Sequence, residues 1–236
     1  MAKSDNLKDF LTDVADAIRA KKGTSAAINP QDFASEIASI ESGGGGMKPN
    51  VKNGVYIHTN DGRFFTKTEW SKVGSNSNAD GVAVIADEAA FVICPKELGN
   101  MSWSSDTTNL VEGLPVLTAA ESLNDFDGVG NTQLILATDT SGAAYTCANY
   151  MFGSGRNGYL PSAGEWNIAY SNASAIGELM TAIGGDEIGS QANFTFIWSS
   201  SQASNNSAIG ITWNGGRIGN SNKPFFGGVR AFMKLW

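Results

Sequence analysis

The first forty residues carry the spacing of an amphipathic helix. Apolar side chains recur three and four positions apart at Leu7, Phe10, Leu11, Val14 and Ile18. This periodicity places them in one stripe along a helix, which we expect to be capped at Ser4 or Asp5 and to end at Gly23.

A second helix is predicted from Asn29, because a capping residue followed by proline at the first helical position is typical of a helix start. Its apolar face contains Phe33, Ala34, Ile37 and Ile40. Residues 1–42 are therefore predicted to be a helical hairpin, followed by a glycine-rich linker over residues 43–53. Two short helices cannot bury both stripes alone, so we expect this segment to self-associate or to dock on another protein.

From residue 54 onward the pattern changes to strands. Val55–Thr59 and Arg63–Lys67 flank Asn60-Asp61-Gly62, which is a strong hairpin-turn signal. Gly81–Ala86 and Ala89–Cys94 are apolar and predict a second hairpin.

A polar loop is predicted over Thr118–Ile135. It contains Asp125, Asp127 and Asn131 among glycines, which suggests calcium, but the spacing and the terminal glutamate of an EF-hand are absent. We expect this loop to hold no metal.

Helices return after residue 140. One is predicted over about Gly142–Phe152, and another begins at Ser162, where Glu165 three residues later completes a capping box. A third covers Ala175–Ile183. Four strands then follow, at Phe194–Trp198, Ala208–Trp213, Arg217–Gly219 and Val229–Leu235. This mixture predicts an α+β protein.

Composition narrows the function. Glycine is frequent, with 28 residues, charged residues make up only 17%, and the net charge is −7. A nucleic-acid partner is not expected, because phosphate neutralisation needs clustered Lys and Arg. No apolar run is long enough to cross a membrane, and the first residues do not have the pattern of a secretion signal. Cys94 and Cys147 either stay buried free thiols, which we expect, or form a disulfide.

Three motifs occur in a distinctive order: Tyr159–Trp166 (YLPSAGEW), Trp198–Gln202 (WSSSQ) and Val229–Phe232 (VRAF). In this order they resemble the C-type lectin fold, in the branch shared by formylglycine-generating enzymes and the variable proteins of diversity-generating retroelements. Asp127-Gly128 with Asn131-Thr132, followed by Ala144–Cys147, is more similar to the retroelement branch. The resemblance covers residues 54–236 and implies an α+β C-type lectin domain.

The resemblance implies that the motif residues are architectural. Trp166, Trp198, Trp213 and Arg230 would be structural, with Arg230 half-buried and paired to a carboxylate or carbonyl.

Ligand binding would instead belong to the variable region, about residues 198–232, and within it to residues 203–228. Small polar residues with a few aromatics are typical of adaptable binding surfaces. The candidate ligand-binding residues are Ser204, Asn206, Ser207, Ile209, Gly210, Thr212, Arg217, Gly219, Ser221, Phe225 and Phe226. In this family, mutation at adenines gives an alphabet without Lys, Glu, Gln, Met or Trp, and only Trp213 and Lys223 lie outside it here.

Part of the N-terminal hairpin resembles a segment of phage tail and tail-fibre proteins, through LTDVADAI at residues 11–18 and the residues that follow up to Ile40. Together the resemblances imply a receptor-binding protein of the virion, synthesised in the bacterial cytoplasm and recognising a bacterial surface protein or glycan. The N-terminal segment would attach it to tail or baseplate proteins, and the resemblance allows a homotrimer. No cofactor is implied.

Three other functions are compatible with a chain of this kind. A calcium-dependent carbohydrate-binding lectin lacks support, because residues 203–228 contain no Asp or Glu. An enzyme is not expected: no cysteine follows Cys147, His58 is predicted to be a surface strand residue, and Asp186-Glu187 suits a solvated turn. A structural virion or surface protein without a specific ligand is the remaining alternative.

Overall fold

The amphipathic stripe at the N-terminus forms helix α1 (Lys3–Lys22) in the computed structural model, which describes residues 3–22, 27–33, 51–73, 78–106, 108–189 and 196–236. Ala15 and Ile18 are buried, whereas Phe10 of the same predicted stripe is exposed. The start of the second predicted helix is a short 3-10 turn, Pro30–Asp32, which the Asn29 side chain caps by accepting the Gln31 N–H. The rest of that helix and most of the linker lie outside the described residues.

The chain divides into two compact units at residues 49 and 50, a boundary inside the predicted linker. In the described part of the second unit, α2 (Lys67–Trp70) is a single turn. It is followed by α3 (Gly128–Thr138), α4 (Gly142–Asn149), α5 (Ala163–Ser171) and α6 (Ala173–Ala182). The strands are β1 (Gly54–Thr59), β2 (Phe64–Phe65), β3 (Ala79–Ile85), β4 (Ala90–Ile93), β5 (Asn100–Met101), β6 (Phe196–Gln202), β7 (Ser207–Thr212), β8 (Arg217–Asn222), β9 (Gly227–Gly228) and β10 (Phe232–Lys234). The protein is therefore α+β, as the sequence predicts.

The first sheet is antiparallel, in the order β10-β4-β3-β1-β2. Both predicted hairpins are present, β1 with β2 and β3 with β4. The C-terminal strand β10 pairs with β4, so both ends of the second unit meet in this sheet. Strand β3 is buried on both faces: Val82 and Val84 lie in one hydrophobic cluster, and Ala83 lies in the other. This explains its continuous apolar run.

The second sheet has the order β5-β9-β6-β7-β8, in which β6 and β9 are parallel. Strands β7 and β8 form a hairpin around residues 213–216. Gly215 and Gly216 have φ values of 111° and 66°, a left-handed region that favours glycine, as the Asn214-Gly215 turn signal predicts. Strand β8 runs three residues further than predicted.

Tryptophans join helix α5 to the second sheet. Trp166, Trp198 and Trp103 are completely buried. The Trp166 indole N–H donates to the Trp198 carbonyl at 3.0 Å, and the Trp103 indole N–H donates to the Ser199 carbonyl at 2.7 Å. The half-buried Trp213 packs edge-on to Trp166, with ring centroids 5.7 Å apart.

The predicted capping box of α5 is present and is buried. Ser162 Oγ accepts the Glu165 N–H, while Glu165 Oε2 accepts the Ser162 N–H at 2.8 Å. Glu165 Oε1 also accepts the Tyr159 hydroxyl at 2.6 Å. Tyr159, Ser162 and Glu165 thus form a buried hydrogen-bonded cluster at the start of α5, which we call the capping hub.

Arg230 is more deeply buried than predicted. It is 1% exposed, and its guanidinium donates to the carbonyls of Cys94, Asp186 and Glu187 at 3.1–3.3 Å. The carboxylate of Glu97 lies 3.9 Å away. The predicted need for carbonyl or carboxylate partners is met, and Arg230 joins the segment between β9 and β10 to the turn that follows α6.

Two sequence-based predictions outside the candidate ligand-binding residues are wrong. The stretch predicted as a polar loop contains a 3-10 turn, Glu121–Asn124, and the start of α3. The glycines and the asparagine of α3 are weak helix formers, so the sequence pattern did not indicate a helix there. Asp127 caps this helix by accepting the Gly130 N–H. His58 is not a surface residue: it is 4% exposed, with Nδ1 3.3 Å from Asp80 Oδ2 and the Phe64 ring beside it.

Cys94 and Cys147 are both buried, free thiols. Among the described residues, no helix has the length and apolarity needed to cross a membrane.

The buried Glu165 predicts a pH-dependent stability. Burial raises the pKa of Glu165 from 4.5 to about 7, although its hydrogen bonds oppose the shift. Because the folded state holds this proton more tightly than the unfolded chain, the stabilisation is complete below pH 4.5 and is lost as pH rises through 7. The free energy of unfolding should fall by up to about 3 kcal/mol from this group over that range, and Glu165→Gln should remove this dependence. Urea titrations at pH 5, 6, 7 and 8 measure it.

Glu112→Gln is the matched control, since Glu112 is exposed. The free energy of unfolding of this variant should fall with pH as steeply as that of the wild type. An equally steep fall in Glu165→Gln would show that Glu165 is not the group responsible.

Candidate functional site

Five of the predicted ligand-binding residues lie on one face of the β7–β8 hairpin. Thr212 pairs with Arg217, Gly210 with Gly219, and Ala208 with Ser221. Directly paired residues share a face of an antiparallel sheet, and alternate residues along a strand do so as well. Gly210, Thr212, Arg217, Gly219 and Ser221 therefore form what we call the hairpin face.

The hairpin face is open at β8 and covered at β7. Arg217 is exposed, and no atom lies within 4 Å of the position that a Cβ on Gly219 would take. A Cβ on Gly210 would lie 2.7 Å from the ring of Phe196. Gly210 is thus buried under Phe196, and the accessible part of the face belongs to Thr212 and strand β8.

Ile209 was predicted to contact a ligand, and this prediction is wrong. Ile209 has no exposed surface, because its side chain lies on the face of β7 opposite to Gly210 and Thr212. Ile211 and Ile218 on that opposite face belong to a hydrophobic cluster or pack against it. The alternation of a strand, applied to the sequence, would have excluded Ile209 once Gly210 and Thr212 were chosen.

The three other polar candidates lie in the turn between β6 and β7 and at the first residue of β7. Asn206 is exposed, and Ser204 is half-buried. Ser207 is only 7% exposed, and its hydroxyl lies 2.6 Å from that of Ser204. Ser207 therefore closes the turn. The surrounding chain covers both Ser207 and Gly210, so the ligand contacts predicted for these two residues are wrong.

Phe225 and Phe226 are exposed, with 59% and 62% of their surfaces accessible. They lie in the segment from Lys223 to Phe226, which we call the crossing loop. It leaves the outer strand β8 and returns past β7 and β6 to β9. Large aromatic side chains this accessible mark a contact surface when the backbone holds them outward.

The crossing loop is fixed at its first residue. Lys223 is completely buried, and its Nζ donates to the Asn109 carbonyl at 2.9 Å and to Gln202 Oε1 at 3.2 Å. Nζ also lies 5.0 Å from the centre of the Trp103 ring. Burial lowers the pKa of Lys223. This lysine, which lies outside the alphabet produced by mutation at adenines, anchors the loop to the body of the protein.

The loop is also fixed where it ends. Gly227 pairs with Met101, and a Cβ on it would lie 2.7 Å from the indole nitrogen of Trp198. Gly228 similarly lies against Glu97. Phe225 and Phe226 are therefore held between two anchored points.

Sequence reasoning missed two exposed apolar residues on a segment that contacts Lys223 and Gln202. Leu110 and Val116 are 51% and 50% exposed on a segment that Gln202 fastens through its side chain to Val111 N–H and through its carbonyl to Leu117 N–H, both at 2.9 Å. Leu110 also follows Asn109, whose carbonyl binds Lys223. The sequence carries no signal for them, since their position depends on the buried contacts of Gln202 and Lys223.

The acidic residues considered for calcium serve other contacts. Asp125 Oδ2 accepts from the Asn131 amide at 2.9 Å and from the Ser201 hydroxyl at 2.6 Å. Asp127 caps α3. In the ranges that the structure describes, no group of three or more His, Cys, Asp or Glu side chains is arranged to hold a metal ion.

Removing the Lys223 anchor should destabilise the protein. Lys223→Ala loses two charge-assisted hydrogen bonds and leaves a cavity over Trp103, so we expect the free energy of unfolding to fall by about 3 kcal/mol. Lys223→Met should lose less, since it fills the same space. Urea titration measures both, with the exposed Lys234→Ala as the control. Wild-type stability of Lys223→Ala would show that the anchor is not needed.

In comparisons with known proteins, no protein-family model, no curated protein and no solved structure matches the chain.

Proposed function

We propose that this chain is a hypervariable receptor-binding protein of a phage tail fibre, built on a C-type lectin fold. It recognises a bacterial surface molecule through the accessible part of residues 203–228. The fold proposal is supported by the first sheet, which joins the first and last strands of the second unit, and by the second sheet, which carries the variable region. The motif residues Trp166, Trp198 and Arg230 are buried in the body between them.

One observation carries the functional proposal. Two adjacent phenylalanines are more than half exposed in a loop whose neighbouring residues, Lys223 and Gly227, are buried and fixed. Keeping such a pair in water is unfavourable, and a binding partner that covers it recovers that free energy. An anchored loop also loses little conformational entropy on binding.

The surface around this pair suits replacement. On the hairpin face of the outer strand, Gly219 has open space above it and Arg217 is exposed. Side chains at such positions can change with little effect on the core, because the opposite face of the hairpin supplies the buried isoleucines. This division between a fixed body and an exchangeable surface is what a hypervariable protein needs.

The N-terminal unit serves as the attachment segment in this proposal. Alongside α1, an open groove of about 500 Å³ is lined by Leu11, Ala15, Ile28 and Pro30, among others. Phe10 is exposed on the same helix. Tail or baseplate proteins, or further copies of the chain in a homotrimer, would cover these apolar residues, and several copies on one particle would raise avidity.

The double variant Phe225→Ala/Phe226→Ala tests the proposed surface. Beads coated with the protein, scored by flow cytometry on a panel of intact bacterial strains, should bind at least one strain. The double variant should reduce that binding about tenfold or more, as expected when two exposed aromatic contacts are lost. Its free energy of unfolding should change by less than about 0.5 kcal/mol.

Met151→Ala is the matched control, because Met151 is equally exposed in another segment. It should bind like the wild type. Equal binding by the double variant, or binding to no strain at all, would contradict the proposed function.

The hypervariability can be tested at the DNA level. The locus should contain a second, nearly identical copy of the sequence encoding residues 198–232, with mismatches confined to adenines of that copy. Trp213 and Lys223 should be identical in both copies. Sequencing the region around the gene checks this, and mismatches spread over all four bases would argue against a retroelement.

A further inference from the structure

The outer strand of the second sheet has an unpaired edge. Strand β8 pairs with β7 over six residues in continuous register and has no other strand beside it among the described residues. Alternate residues of such a strand direct their N–H and C=O groups away from the sheet. Lys223 N–H donates to the Asn206 carbonyl, so in this register Ser221, Gly219 and Arg217 form the hydrogen-bonded pairs with β7, and the outward groups belong to Ile218, Asn220 and Asn222. Phe225 N–H donates to the Asn222 carbonyl, while the outward groups of Ile218 and Asn220 have no backbone partner among the described residues.

The usual protections of a sheet edge are lacking in β8. The strand contains no proline and no lysine, and its register with β7 has no bulge. Natural proteins use these features to prevent a second strand from pairing at an edge. Their absence leaves an edge of about 20 Å that is open to another extended chain.

The side chains of β8 allow close approach. Gly219 has open space above it, and its neighbours in the strand include two asparagines and a serine. An added strand lies about 4.8 Å from its neighbour, and small side chains leave room for its own side chains to pack on the hairpin face. The exposed part of that face borders this edge, since Arg217, Gly219 and Ser221 alternate along β8 with the residues whose backbone groups are directed outward.

The charge of the edge selects the partner. Arg217 is exposed and has no ion pair with any described residue, in a protein whose net charge is −7. An acidic side chain on the added strand would neutralise it. Residues 217–222 contain no Asp or Glu, so pairing of β8 with β8 of a second copy would leave Arg217 without a partner.

We propose that β8 binds an extended, acidic segment of the receptor polypeptide as an added strand of the second sheet. This inference rests on the proposed function, and it makes the ligand a protein. A repeating ladder of backbone donors and acceptors matches another polypeptide backbone, whereas a glycan presents hydroxyl groups without that repeat.

Two capped octapeptides of alternating Thr and Val serve as probes, one with a single central Glu and the other with Lys at the same position. With the Glu peptide at saturation, hydrogen exchange of the outward amides of residues 217–222 should slow at least tenfold, and amides elsewhere should be unaffected. The Lys peptide should bind about fivefold more weakly, as expected for loss of an exposed ion pair. Protection measured by NMR gives both quantities.

Charge reversal distinguishes recognition from general stickiness. Arg217→Glu should invert the preference, so that the Lys peptide binds better than the Glu peptide. Arg63→Glu is the matched control, since Arg63 is an exposed arginine beside a turn of the first sheet. It should keep the wild-type preference.

Three outcomes would overturn the inference. These are no protection at millimolar Glu peptide, protection outside β8, or β8 amides already protected in a free chain that light scattering shows to be a dimer. None of them affects the Phe225 and Phe226 test on bacteria, so failure of the edge proposal is separate from failure of the proposed function.

Discussion

Strand β6 is at the centre of the second sheet, and its pairing with β7 is interrupted. The sheet depends on how the backbone N–H and C=O groups of β6 find hydrogen-bond partners at that interruption. The register between β6 and β7 shifts between Trp198 and Gln202, which leaves backbone groups without their usual ladder partners. The indole N–H groups of Trp166 and Trp103 donate to the carbonyls of Trp198 and Ser199, respectively. The Pro161 carbonyl accepts the Ser200 N–H at 2.8 Å. Every one of these partners comes from outside the sheet, so α5 and the segment around Trp103 are locked to it.

This irregular strand explains why the motifs belong together. The three serines of the WSSSQ motif are buried, and Ser201 joins this strand to the start of α5: its Oγ accepts the Ala163 N–H and donates to Asp125. The LPSAGEW motif supplies the capping hub through Ser162 and Glu165. A change in either motif leaves buried polar groups without partners, which is far more costly than a change on the surface.

The rigid body has a direct consequence for the candidate surface. Gln202, the last residue of the irregular strand, binds the segment around Leu110 with its backbone and side chain, and it shares Lys223 with Asn109. One buried polar cluster thus positions both exposed loops, with Phe225 and Phe226 on one and Leu110 and Val116 on the other. The exposed side chains of these two loops therefore do not contribute to the core.

Local patterns in the sequence determined the elements whose signals are complete within a few residues. The hairpins, the capped start of α5 and the turn at Asn214-Gly215 belong to this class, because capping, left-handed glycines and strand alternation act between near neighbours. Only the tertiary structure decided the rest. The burial of Lys223 and His58 and the exposure of Leu110 and Val116 depend on segments that are distant along the chain. The hydrogen bonds and packing that decide their burial form only when those segments meet.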